Sequence, residues 1–455
     1  MRLTPTLLLI LLLIVSPGSD ANPYSPPGFY EVEQTQLANG FRVVLQQREG
    51  ANSVALRLVV GLGARDLPCD QSEIPHLLEH LVFEGTAAYP EPGAWERQIK
   101  KWGGYSNAET DLDRTIYQVD IYGPHASNAV AALYQLAQEA LLDDASIASA
   151  QRTVHRELGS DASVLRRGLY AHGIGQSGTA KIREALGIDC PGMERVDSAT
   201  RPLLIDLYHR YYMARNMTLV AVGRFDKTEF IQQVQATFGV LPGFRPPQRR
   251  SWTVGLPTAP IKVHSTLEPV LGSEATVQIA FPTAGYLSED FPILVVISRY
   301  LDQVLYDRLR RQAGWSYTPT TGWAMHPQTG YFYISTDVAP ANREEVAAAL
   351  REEIARLARE GLSPETVEEL QRGLLLSYAQ GNETNAQMAN YFVDFLAELD
   401  VHGRFLNFEG RIEAVTAPQI QAVAARVLRP ENSILALNAP TLTYGTALLL
   451  AGIGL

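Results

Sequence analysis

The sequence predicts an α+β protein built from two homologous domains. Three observations predict it. The 455 residues exceed one domain of ordinary size, strand-like and helix-like segments recur in the same order, and a proline-rich stretch separates the two runs. Hydrophobic residues at 46% and charged residues at 19% are the proportions of a folded chain rather than a disordered one. Lys and Arg number 38 against 49 Asp and Glu, a net charge of −11 that repels polyanions. Nucleic acid is therefore not an expected partner, and Arg249-Arg250 reads as a solvated linker charge.

Arg2 and nine apolar residues from Leu7 to Val15 precede Ser16-Pro17-Gly18-Ser19-Asp20-Ala21. This is the layout of a secretory signal over residues 1–21, cleaved after Ala21, and the apolar run is too short to span a bilayer. The chain is expected to be exported, periplasmic or secreted, with no stable membrane anchor after cleavage. The first domain is placed at 28–244. It opens with a hairpin in which Gln36-Leu37-Ala38 and Phe41 to Leu45 flank the Asn39-Gly40 turn signal. Ser53 to Val60 is rich in β-branched residues and reads as a strand, and Ile74 to Glu84 has the apolar density of a helix. Ala129 to Leu142 and Ser146 to Leu158 read as helices, and Met217 to Val222 as a short buried strand.

Pro-Gly-Phe-Arg-Pro-Pro and Leu-Pro-Thr-Ala-Pro break the pattern between Pro242 and Pro260, which sets a linker at 245–262. The second domain, 263–440, repeats the order: a strand at Ala275 to Phe281, helices at Phe291 to Gln312, Arg343 to Arg359 and Pro364 to Ala379, then a last helix and strand. The endings correspond. Ala214-Arg215-Asn216 leads into Met217 to Ala221 as Pro430-Glu431-Asn432 leads into Ser433 to Leu437. An apolar tail, 441–455, is expected to pack on the second half. Cys69 and Cys190 could bridge in an oxidising compartment or remain two buried thiols, and sequence alone leaves both open.

Within the first long helix stands His76-Leu77-Leu78-Glu79-His80. At 3.6 residues per turn the two histidines share a face, so both imidazoles can reach one ion with Glu79 beside them. Catalytic zinc takes three protein ligands and keeps one position for water, so a third ligand must come from elsewhere in the chain.

On these residues the chain resembles the pitrilysin/insulinase family of zinc peptidases, and its half-length members in particular. Gly85-Thr86, Gly103-Gly104-Tyr105-Ser106-Asn107-Ala108-Glu109-Thr110, Thr115-Ile116-Tyr117, Leu309-Arg310 and Gly314-Trp315-Ser316-Tyr317 match the family's later blocks. The resemblance implies a processing-peptidase-like metallohydrolase fold, with two homologous α/β-sandwich domains, each a mostly antiparallel sheet packed with helices, and one Zn²⁺ per chain on His76, His80 and Glu157. His155, two residues from Glu157, points to nearly the opposite side of their helix and is not expected to be a ligand. It implies Glu79 as general base, Arg310 and Tyr317 as binders of substrate and transition state, and Asn107 and Ala108 as an edge on which an extended peptide is recognised. The expected activity is an exported zinc metalloendopeptidase acting on peptides or unfolded segments. A homodimer, or a heterodimer with a homologous chain, would restore the four-domain arrangement of full-length relatives. The rival expectation is a non-catalytic or weakly active partner subunit. Ala150 stands where the family commonly has a second glutamate, which keeps that rival open, and Glu109 stands where it often has an aromatic residue, which would alter the preferred substrate.

Overall fold

The computed structural model describes residues 29–158, 176–190, 196–249, 253–265, 271–316, 318–450 and 452. The expected signal segment and Tyr317 lie outside them. Two compact units form: the first from Met1–Glu157, Arg195–Arg250 and Gly381–Leu406, the second from Leu158–Glu194, Ser251–Gln380 and Asn407–Leu455.

The first unit is built on strands β1 (Glu33–Gln36), β2 (Arg42–Gln47), β3 (Ser53–Val60), β4 (Tyr105–Thr110), β5 (Thr115–Tyr122) and β6 (Met217–Gly223), ordered β1-β2-β6-β3-β5-β4. The hairpin forms as its turn signal predicts, with Glu33 opposite Leu45. Gly40 takes φ +92°, where a Cβ would in addition meet Arg215 Cγ at 2.5 Å, so glycine is required there. Asn39 Nδ2 donates to the carbonyls of Phe238 (2.7 Å) and Leu241 (3.0 Å) and so ties the turn to the core. Strand β6, buried along its whole length, lies between parallel β2 and antiparallel β3, which is why its sequence is a continuous apolar run rather than an alternating one. Strand β4 closes the other edge and pairs only with β5 among the described residues. Helix Ile74–Phe83 packs on β4 and β5 and buries Leu77, Leu78, Leu81 and Val82, and helix Asp144–Glu157 packs against it.

The second unit contains β7 (Ile261–Ser265), β8 (Leu271–Gly272), β9 (Ala275–Ala284), β10 (Thr320–Met325), β11 (Thr329–Val338), β12 (Ile434–Asn438) and β13 (Leu442–Thr443). Its main sheet runs β10-β11-β9-β12-β7, with β12 and β7 parallel and the other neighbours antiparallel. Position for position and sense for sense this repeats β4-β5-β3-β6-β2 of the first unit, so the two halves share one topology. The corresponding endings expected from sequence fall on β6 and β12.

The two sheets are covered in an interleaved way that a contiguous reading of the chain does not give. Helix Asn385–Asp394, which follows the second sheet's helices in sequence, packs on β3 and β6 of the first unit. Helix Gly178–Ala185 packs on β7, β9 and β12 of the second. Arg57, 1% exposed on β3, fastens the first of these helices: its guanidinium meets Asp120 at 2.7 Å and Asn390 Oδ1 at 2.7 Å.

Three expectations need correction. The helix foreseen to Gln312 is α-helical over Asp290–Leu305 and widens to a π-helix over Tyr306–Gln312. Strand β7 already begins at Ile261, inside the expected linker. The apolar tail packs only in part: β13 pairs with β8, but helix Tyr444–Leu450 buries none of its residues. Arg249 is exposed, as a solvated charge should be, and it is ion-paired as well: its Nε and Nη2 reach both oxygens of Asp66 at 3.1 and 2.9 Å, and the Asp66 side chain is 3% exposed. Neither Cys69 nor Cys190 is a free thiol; both are disulfide-bonded.

Candidate metal centre

The Ile74–Phe83 helix presents His76, Glu79 and His80 on neighbouring faces one turn apart, while the last residue of helix Asp144–Glu157 brings Glu157 to them. His80 Nε2 lies 3.2 Å from His76 Nε2, and Glu157 Oε2 lies 3.1 Å from His80 Nε2 and 3.3 Å from His76 Nε2. All three donor atoms lie within 4.8 Å of one another, and no other such group of His, Cys, Asp and Glu occurs among the described residues. A tetrahedral zinc with bonds of about 2.0–2.1 Å has ligand-to-ligand edges of about 3.3–3.4 Å. Two imidazole nitrogens and a carboxylate oxygen at these spacings fit such an ion in donor type and in distance. His155, two residues before Glu157, turns away and pairs with Asp197 at 3.2 Å.

Glu79 is 7% exposed. Thr110, the last residue of β4, donates from Oγ1 to Glu79 Oε2 at 2.6 Å. Burial pushes the Glu79 carboxyl above its ordinary range, although the Thr110 hydrogen bond and the two histidines pull the other way. At His76 burial opposes protonation, but the Glu73 hydrogen bond and the charges of Glu79, Glu73 and Glu157 outweigh it, and its pKa is raised. Beneath Glu79 lie two phenols, Tyr117 and Tyr212, joined by a 2.6 Å hydrogen bond and raised in pKa chiefly by burial.

Asn107 and Ala108 lie opposite Gln118 and Tyr117 on edge strand β4, Asn107 exposed and Ala108 half-buried. Arg310 is exposed on the π-helical turn of the second unit, where Arg308 is paired with Glu352. Tyr317 is outside the described residues; its neighbour Ser316 is hydrogen-bonded to Thr336 and bridged to Val338. Ala150 is fully buried on the helix that ends in Glu157.

Two polar contacts were not foreseen from the motifs. Thr110 was visible only as part of a matched block, and nothing local says that a strand residue should meet a helix carboxylate. Glu73 lies 3.2 Å from His76 Nδ1. Its signal was present, an acidic residue three positions before the first histidine and so on the same helical face.

Two family models match this chain: "Insulinase (Peptidase family M16)" over residues 42–168 and "Peptidase M16 inactive domain" over residues 198–374. Together they take in most of it. A mitochondrial-processing peptidase subunit beta from Dictyostelium discoideum is 26% identical over 210 residues, 46% of this chain and 44% of that protein. A probable zinc protease PqqL from Haemophilus influenzae is 26% identical over 245 residues, 51% of this chain and 26% of that one. The matched part is thus less than half the length of these curated relatives. A protease from Helicobacter pylori has a similar fold, with TM-score 0.75 at 16% identity, over 90% of this chain and 100% of that one.

Proposed function

The chain belongs to peptidase family M16, and from that premise we propose that it is an exported zinc-dependent endopeptidase for peptides or unfolded segments. The observation that carries this is the meeting of His76, His80 and Glu157 within zinc-ligand spacing, beside a buried glutamate held by Thr110. A zinc ion held by these three residues supplies a Lewis acid for water and for the scissile carbonyl.

The protein's own groups do the rest. Thr110 engages Glu79 Oε2, leaving Oε1 to take a proton from water and later return it to the leaving amine. Desolvation, by raising the carboxyl's pKa, makes it a stronger base than an exposed glutamate and a more willing donor in the second transfer. An extended substrate adds as a strand along β4, recognised mainly through its backbone beside Asn107 and Ala108. Arg310 and Tyr317, in roles taken from the family resemblance, bind substrate and the developing oxyanion. A homodimer, or a pair with a homologous chain, would restore the four-domain arrangement that the family resemblance implies for full-length relatives.

The name of the inactive-domain model does not argue for a non-catalytic chain. It matches 198–374, whereas His76, Glu79, His80 and Glu157 fall inside the insulinase match. Chelator-stripped protein should lose hydrolysis of an internally quenched, unstructured peptide and regain it with one equivalent of zinc. Equal turnover by the stripped protein would refute the proposal.

A further inference from the structure

Glu73 occupies the N-cap of helix Ile74–Phe83, yet its side chain makes no capping hydrogen bond. It is turned to the histidine one turn on, Oε2 lying 3.2 Å from His76 Nδ1. The Glu73 side chain is 12% exposed, whereas that of Glu157 is 49% exposed, so Glu73 is the more enclosed of the two carboxylates that meet His76. An ionised carboxylate only accepts, which assigns the proton of this contact to Nδ1. The Nε2 of the neutral ring then carries its lone pair, and Nε2 is the atom 3.2 Å from His80 Nε2 and 3.3 Å from Glu157 Oε2.

We propose that Glu73 is a positioning residue that holds His76 in the tautomer able to ligate through Nε2. In the opposite tautomer a proton would sit on Nε2, in the middle of the donor group, and no lone pair would face the ion. A carboxylate behind a ligating imidazole also strengthens it as a donor, and loss of such a partner lowers metal affinity by about 10 to 100-fold. The inference rests on the metal reading above, but the tautomer can be tested without metal.

The test uses the full chain. In zinc-free protein with ¹⁵N-labelled histidine, two-bond nitrogen-to-carbon correlation spectra should show neutral His76 protonated on Nδ1, and Glu73→Ala should shift it toward the Nε2 form. Zinc competition against a chelator should show affinity falling about 10 to 100-fold in Glu73→Ala and less in Glu73→Gln, whose amide oxygen can still accept. Glu73→Ser is the control for helix damage. Serine is a better N-cap than glutamate but too short to reach His76, so its zinc affinity should fall while thermal unfolding is unchanged or improved. His76 protonated on Nε2 in the wild type, or wild-type affinity in Glu73→Ser, overturns the proposal. A wild type that binds no zinc but shows the Nδ1 tautomer overturns the metal reading and leaves the role of Glu73 in fixing the ring intact.

Discussion

At the residue scale the site is a set of carboxylates with different tasks set by their surroundings. Glu157 is half-exposed and offers its oxygen to two histidines; Glu79 is buried and held by a hydroxyl. Replacing Glu157 by Gln should therefore weaken zinc binding, since a neutral amide is a poor zinc ligand, and unchanged occupancy at limiting metal would remove it from the ligand set. Thr110→Val should keep zinc but lower kcat by about 10-fold and displace the pH profile, because the base loses both its orientation and the hydrogen bond that holds its pKa down. Thr110→Ser should restore both; a valine variant with wild-type kcat and pH profile would deny the contact a role. Zinc requires neutral imidazole, and the raised pKa of His76 lets protons compete at higher pH than an ordinary histidine would allow. Zinc affinity should accordingly decline as pH falls through a window above 6.5, the ordinary histidine value, and a titration flat down to that value would contradict the shift. The histidine pair was legible because helical spacing alone places both rings on one face. Glu157 came only through the family resemblance, since its approach depends on how two helices pack. The partners Thr110 and Glu73 were in plain view as letters, but contact between a strand end and a helix carboxylate has no local signature.

At the scale of elements, most strands and helices were readable because burial leaves periodicity in the sequence. Met217–Gly223 is apolar but for Thr218 because both faces are covered, and Ser53–Val60 announces itself by β-branching. The π-helical end of Asp290–Gln312 was not readable, since its residues suit an α-helix equally well. Nor could the sequence say which sheet an amphipathic helix covers. Asn385–Asp394 has an apolar face, but its assignment to β3 and β6 is made by burial there and by polar contacts such as Arg57 with Asn390 and Asn385 with Ser53. Arg57→Ala should destabilise the protein by about 2–4 kcal/mol, since it removes a fully buried guanidinium and leaves partly buried Asp120 without its partner. Hydrogen exchange should then rise first over 385–394; uniform loss of protection would mean that the helix is not held by this contact.

At the scale of the whole molecule, two units repeat one strand order, but among the described residues only the first carries the three-donor group. Arg310 lies on the other unit, which makes the proposed dimer testable by complementation. Glu79→Gln and Tyr317→Phe proteins, each inactive, should regain activity when dissociated and reassembled together if each zinc group works with the Arg310 and Tyr317 of a partner chain, up to about a quarter of wild type for random pairing. No recovery, with mixed dimers present by mass spectrometry, would refute that arrangement. The central claim is a zinc site served by Glu79 as its base. The most direct measurement sets wild type beside Glu79→Gln, reading zinc per chain and turnover of a quenched peptide in the same samples. The account predicts one zinc in both proteins and hydrolysis reduced at least about 100-fold in the variant; near wild-type turnover by Glu79→Gln, or no zinc in the wild type, would contradict it.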